Sequence, residues 1–142
     1  MVILKPMGLK VRCKKINGKD YFSVRDIAEI RVREGKKAKG VGRNFCRNMN
    51  NFQMILGIEK SINPEFKVVH MNDFTEGKKL NEITTPTKLI ETLGLTCMVV
   101  ERGKHGDVWM YYTLGIAFAM WLNPEFGAYV LTDYEDMRYR SL

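Results

Sequence analysis

The sequence predicts an α+β fold made of two short β-hairpins and several amphipathic helices. Three observations carry this reading. Asn17-Gly18 sits between segments of mixed apolar spacing, the strongest short signal for a hairpin turn. Gly103-Lys104-His105-Gly106-Asp107 separates two apolar runs and marks a second hairpin. Elsewhere, helix-opening residues stand directly before segments with helical periodicity. The order is hairpin, two helices, a mixed region, helix, hairpin, two helices, with hairpins too short for a sandwich.

The first hairpin spans residues 9–22. Ser23 is placed as an N-cap, with Asp26 three residues on as its capping-box partner, and opens a helix over 24–31 that buries Ile27 and Ile30. Residues 35–42 read as a mobile basic loop. A second helix runs from about 43 to 56, bending or ending at Gly57 or continuing to Ser61. Phe45, Met49, Phe52 and Leu56 form its apolar stripe. Asn63-Pro64 breaks that helix, and 66–71 reads as a short strand or extended segment. Thr85-Pro86 opens a third helix over 86–93 that stops at Gly94. Strands over 97–102 and 108–112 flank the second turn. Thr113 is placed to cap a helix to Leu122, and Asn123-Pro124 starts a last helix to about Tyr139. Arg138 and Arg140 at its end complement the helix dipole.

A chain of 142 residues with 45% apolar and 27% charged residues suits one soluble domain with a real core. The net charge is +7, but its distribution says more. Residues 1–60 carry 15 Lys+Arg against 5 Asp+Glu, and residues 61–142 carry 8 against 11. An excess of +10 in the first part and −3 in the rest argues for one positive face, the footprint of a polyanion partner. An anionic membrane surface is the plainer rival on the same charge logic. The longest uncharged run, residues 108–124, is 17 residues long and too short to span a bilayer. The start of the chain is broken by Lys5 and Pro6 too early for a signal-peptide core. Cys13, Cys46 and Cys97 have no C-x-x-C spacing and read as thiols in a reducing cytosol, so a cytoplasmic location is expected.

The chemistry-bearing motifs point the same way. Residues 35–41 superficially resemble a phosphate-binding P-loop, but Val41 stands where the lysine should be and Gly42 where the hydroxyl should be. Arg31, Arg33, Lys36, Lys37, Lys39, Arg43 and Arg47 place seven positive charges in seventeen residues, against Glu34 alone. Such a run can be a solvated loop; it can also clamp phosphates by releasing counterions. The two helices beside it have the parts of a helix-turn-helix, although an eleven-residue connection is long for the turn. The second helix then offers Arg43, Asn44, Arg47 and Asn48, side chains that suit guanine and adenine edges, unless they are plain surface polar groups. Arg102, Lys104 and His105 make the tip of the second hairpin basic, in the manner of a wing, while Asp107 is expected to face the protein and pair with Lys104 or a backbone amide. No catalytic constellation is found: His70 and His105 lack nucleophile partners, and Asp133, Glu135 and Asp136 read as a solvated helix face. No metal, cofactor or small-molecule substrate is expected.

Residues 109–126, from Trp109-Met110-Tyr111-Tyr112-Thr113 through Ile116-Ala117-Phe118 to Trp121-Leu122-Asn123-Pro124-Glu125-Phe126, resemble the signature of KilA-N domains. Residues 21–27, 43–52, 63–66 and 85–95 resemble further steps of that family, and the likeness covers about residues 10–139 within a single domain of 1–142. It differs at Gly106-Asp107-Val108, where the family often has Gly-Gly-Thr, at Tyr111-Tyr112, with no His soon after the aromatic strand, at Phe45 in place of Trp, and at Asn123 in place of Ser. The resemblance implies a DNA-binding module of bacteria, phages and large DNA viruses, similar in fold to fungal APSES domains, in which a helix-turn-helix-like pair and a hairpin wing hold DNA. The expected function is non-enzymatic binding of double-stranded DNA as a phage or mobile-element regulator. A homodimer is a common arrangement for such readers, although no heptad nominates an interface. Two rivals stand beside this reading: a protein-interaction module that binds an acidic partner on the same scaffold, and a metal-dependent nuclease, against which the basic half offers no carboxylate cluster.

Overall fold

Asn17 and Gly18 take φ values of 52° and 79° and turn β2 (Val11–Ile16) back onto β3 (Lys19–Ser23). Positive φ at both central residues matches the right-handed twist of the flanking strands, which is why Asn-Gly signals this turn. The computed structural model describes residues 1–67 and 85–140. In it the two expected hairpins are one sheet. β4 (Met98–Glu101) and β5 (Asp107–Tyr111) form the second hairpin, and β5 pairs antiparallel with β3. A further strand, β1 (Val2–Leu4), which sequence reading did not nominate, covers the outer edge of β2, giving the order β1-β2-β3-β5-β4.

Register places Cys13, Phe22, Met110 and Met98 in one cross-strand row, and all four are buried. The next row sets Lys14, Tyr21 and Tyr111 side by side. Trp109 lies opposite Ser23 and Val99, with the Lys14 ammonium 4.0 Å and the Arg12 guanidinium 5.3 Å from its ring centroid.

α1 (Val24–Arg33) starts as expected, the Asp26 amide donating to Ser23 Oγ at 3.1 Å. The Asp26 carboxylate does not close a capping box. It turns to Arg12 instead, accepting from the backbone amide and Nε at 2.8 Å each. The helix ends at left-handed Gly35, whose amide bonds Val32 O while that of Lys36 bonds Arg31 O, a paired C-terminal closure.

The expected continuous helix over 43–56 is two helices, α2 (Val41–Arg47) and α3 (Met49–Ile62). Asn48 takes extended backbone angles, and its side chain caps α3 by accepting the Asn51 amide at 3.1 Å. A side-chain cap competes well with one more helical turn for Asn. The break moves the stripe: Phe45 and Phe52 are inaccessible to solvent, Met49 and Leu56 are only partly buried, and Ile55 is the deeper residue.

α4 (Pro86–Leu93) keeps its expected Thr85 cap and its left-handed Gly94 stop. α5 (Tyr112–Leu122) begins directly from β5, so Thr113 lies inside the first turn and supplies no cap. α6 (Pro124–Arg140) is capped by Asn123, which accepts the Phe126 amide at 3.0 Å. Of the short strand or extended segment expected over 66–71, Phe66 and Lys67 carry no strand; the remainder and His70 lie outside the described residues. Among the described residues no helix is long and apolar enough to cross a membrane.

Phe22, Phe45, Phe52, Phe118 and Phe126 fill the core between sheet and helices, each worth about 2–3 kcal/mol of apolar burial. Cys13, Cys46 and Cys97 are free and buried in it, and burial pushes the Cys13 and Cys46 thiols up to about 12. Glu59 is also fully buried. Its carboxylate accepts from the Thr96 amide and hydroxyl, both at 2.6 Å, and from the Cys97 amide at 2.8 Å, fixing α3 to the start of β4. Burial raises its pKa, but these hydrogen bonds outweigh burial and hold it below its ordinary value.

Two outcomes are expected. A folded-state pKa below the ordinary 4.5 means that the Glu59 contribution is complete above that value and is lost as pH falls through the folded one. Glu59→Gln should therefore destabilise by about 2 kcal/mol near neutrality and flatten the acid limb of a stability–pH profile read by urea melts. A Cβ at Gly127 would come within 2.5 Å of Met120 Cα across the α5–α6 corner. Gly127→Ala should accordingly cost about 1–3 kcal/mol, seen as a lowered melting temperature.

Candidate functional site

The N-terminus of α1 is where the sheet, the second hairpin and the basic loop meet. Asp107, at the start of β5, is buried, with its side chain only 3% exposed. It accepts from Ser23 Oγ, from Arg12 Nη2 at 3.0 Å and from the Arg25 backbone amide at 3.1 Å. Arg12 reaches Asp26 on its other side, so one guanidinium holds two carboxylates from α1 and β5. Asp107 thus faces the protein and meets a backbone amide as expected, although its cationic partner is Arg12 and not Lys104. The Arg25 side chain donates to the carbonyl of Gly106 and ties the hairpin tip to α1. A Cβ at Gly106 would lie 2.6 Å from the Glu101 carbonyl, so only glycine fits this turn.

These contacts form one wall of an open cleft of about 440 Å³. It is lined by Val24, Ala28 and Glu29 of α1, by Lys39 and Gly40 of the basic connection, and by Glu101 and Gly106 of the second hairpin. The connection between α1 and α2 is seven residues, 34–40, shorter than expected because both helices extend toward each other. It is shaped at both ends, by the Gly35 closure and by left-handed Gly40, and Ala38 packs against the core.

Lys36, Lys37 and Lys39 are exposed on this connection, and Arg43 and Asn44 on α2. Among the described residues none of the four cations is in an ion pair. Arg47 is exposed at the end of α2, on the same helix face as Arg43 and Asn44. Asn48, expected beside them, is exposed at the helix break, with its side-chain oxygen engaged in the α3 cap. At the hairpin tip Lys104 and His105 are exposed, whereas Arg102 pairs with Glu91 of α4 at 3.2 Å. Both members of that pair are largely solvated, which makes it weak.

Four of the acids near the basic segment are paired, while Glu29 is exposed on α1. Glu101 pairs with Lys14 at 2.6 Å, Glu34 lies 4.0 Å from Arg31, and Asp26 and Asp107 share Arg12. Glu29 and Glu101 line the cleft itself, so its interior does not suit a small anion.

Arg12, Ser23, Arg25 and Asp26 escaped sequence reading as positioning residues. Their partners lie up to 95 positions away, and no local spacing marks such pairs. Among the described residues no group of three or more His, Cys, Asp or Glu side chains could hold a metal ion. Asp107→Ala would strand the Ser23 hydroxyl, the Arg25 amide and half of Arg12. It is expected to cost about 3 kcal/mol in urea unfolding. Arg25→Ala removes an exposed bond and should cost under about 1 kcal/mol, while amide exchange at Gly106 accelerates. Comparison with protein-family models, with curated proteins and with solved structures finds no match for this chain.

Proposed function

We propose that this protein binds double-stranded DNA through the face that carries the α1–α2 connection, α2 and the β4–β5 hairpin tip, on a scaffold of the KilA-N type. The observation that carries the reading is the shared cleft. Lys39 and Gly106 both line it, so the connection that carries Lys36 and Lys37 and the hairpin tip that carries Lys104 border one groove. Cations on two elements that border one groove, in no ion pair among the described residues, suit backbone contact better than a scattered solubility coat does. The family likeness of residues 109–126 supports the same reading from outside the groove, since those residues lie in β5, α5 and the start of α6.

In this reading Lys36, Lys37, Lys39 and Lys104 contact phosphates, and His105 reaches the adjoining groove. Arg43, Asn44 and Arg47 face base edges from α2, a helix of only seven residues. Such a helix offers two turns to a major groove, so a short base readout accompanies a large backbone component. Arg102 joins the phosphate contacts by exchanging Glu91 for the duplex. Asn48 contributes through its amide nitrogen alone, its oxygen being held by the cap. A regulator encoded by a phage or mobile element is the biological setting that the family likeness suggests.

Fluorescence anisotropy with a labelled duplex tests this. Five cations at the groove predict that log affinity falls with log salt at a slope of roughly −4 to −5. Replacing Lys36, Lys37 and Lys39 with Gln should reduce the slope by about 3. Absence of duplex binding at low salt overturns the reading. Selection from random duplexes then separates base readout, which enriches a motif, from backbone binding, which enriches none.

A further inference from the structure

A second cleft lies away from this groove and is larger, about 670 Å³. Sequence patterns nominate no ligand there, because it is assembled from the chain start, the β2–β3 hairpin, the β5–α5 junction and the last turns of α6. Three tyrosines, Tyr111, Tyr112 and Tyr134, line it together with Lys15, Lys19 and Arg138. Tyr112 stacks on Tyr134 with centroids 4.7 Å apart and planes 25° apart, and Tyr111 leans on Tyr112 at 4.7 Å. Cations stand beside this aromatic ladder. The Arg138 guanidinium is 5.8 Å from the Tyr112 ring and 5.9 Å from that of Tyr134, and the Lys19 ammonium is 5.9 Å from Tyr111.

Asp20 is the one acid in the lining, and it is already occupied. It accepts from the Tyr134 hydroxyl at 2.7 Å and pairs with Lys15 at 3.2 Å. Lys19 and Arg138 have no carboxylate partner among the described residues. The cleft therefore presents two uncompensated cations against an aromatic wall whose acid is neutralised internally. Its volume is that of a small-ligand site and too small for a duplex.

We propose that this cleft binds a nucleoside phosphate, its phosphate held between Lys19 and Arg138 and its flat base lying against the tyrosines. Arg supplies a forked donor matched to phosphate oxygens, Lys a mobile point charge, and aromatic rings accept any base by contact with its face. The two clefts share no lining residue, so this assignment does not depend on the duplex reading.

Calorimetric titration of the full chain with adenosine monophosphate, thymidine monophosphate and inorganic phosphate tests it. Both nucleotides should bind about tenfold tighter than inorganic phosphate, because the base adds contact that the bare ion lacks. Lys19→Gln with Arg138→Gln should weaken nucleotide binding about tenfold or more. Both side chains are exposed, so an unchanged circular dichroism spectrum is expected. Lys36→Gln with Lys37→Gln should leave the titration unaltered, and so should added duplex. Nucleotides that bind no better than inorganic phosphate, binding that survives at Lys19/Arg138, or loss through Lys36/Lys37 or duplex competition each overturn the proposal.

Discussion

The guanidinium of Arg12 is the joint on which the arrangement turns. It sits on β2 and holds Asp26 of α1 and Asp107 of β5 together, with Ser23 Oγ bonded to the same group. Three chain segments that are remote in sequence thereby share one charge cluster. Two carboxylates beside one cation would repel each other in a dry site, but two further donors relieve them. Asp107 also receives the Arg25 amide, and Asp26 the Arg12 amide. The first of these lies at the N-terminus of α1, where orphan amides and the helix dipole favour negative charge. Desolvation offsets much of the Coulomb gain in such clusters, so its main effect is geometric. It sets where the second hairpin stands relative to α1, and hence the width of the groove between hairpin tip and basic connection.

The same cluster explains how the positive face survives in a chain with 16 acidic residues. A carboxylate engaged inside the fold neutralises a neighbour there and cannot screen a distant lysine. Asp26, Asp107, Glu101 and Glu34 are held by Arg12, Lys14 and Arg31, and Glu59 is buried against backbone amides. Among the described residues the lysines of residues 36–39 are in no ion pair. Net charge alone does not produce a field; segregation of partners does. The second cleft repeats the pattern, with Asp20 held by Lys15 and Tyr134 while Lys19 and Arg138 have no carboxylate partner among the described residues.

What residues 1–142 state locally, they state well. The Asn17-Gly18 turn, the caps at Ser23, Thr85 and Asn123, and the stop at Gly94 depend on one residue's φ preference or on one oxygen reaching an amide three positions on. Those interactions are complete within a few residues, so the sequence by itself determined the α+β class and most helix starts. It also determined the positive segment at residues 31–47, since the charge of a lysine does not depend on its neighbours.

Only the tertiary structure decided the rest. Helical periodicity runs smoothly through Asn48, yet the helix breaks there, where the Asn48 side chain caps α3 in place of one more turn of backbone bonds. Asp26 looks like a capping-box acid until Arg12 arrives from the neighbouring strand with a charged partner. The union of the two hairpins through β3 and β5, and the addition of β1 at the edge, are backbone pairings across distant positions that carry no local mark. The groove and the tyrosine-lined cleft are products of those pairings. Short-range preferences are written residue by residue, whereas the meeting of Arg12 with Asp107 exists only once the sheet has closed around it.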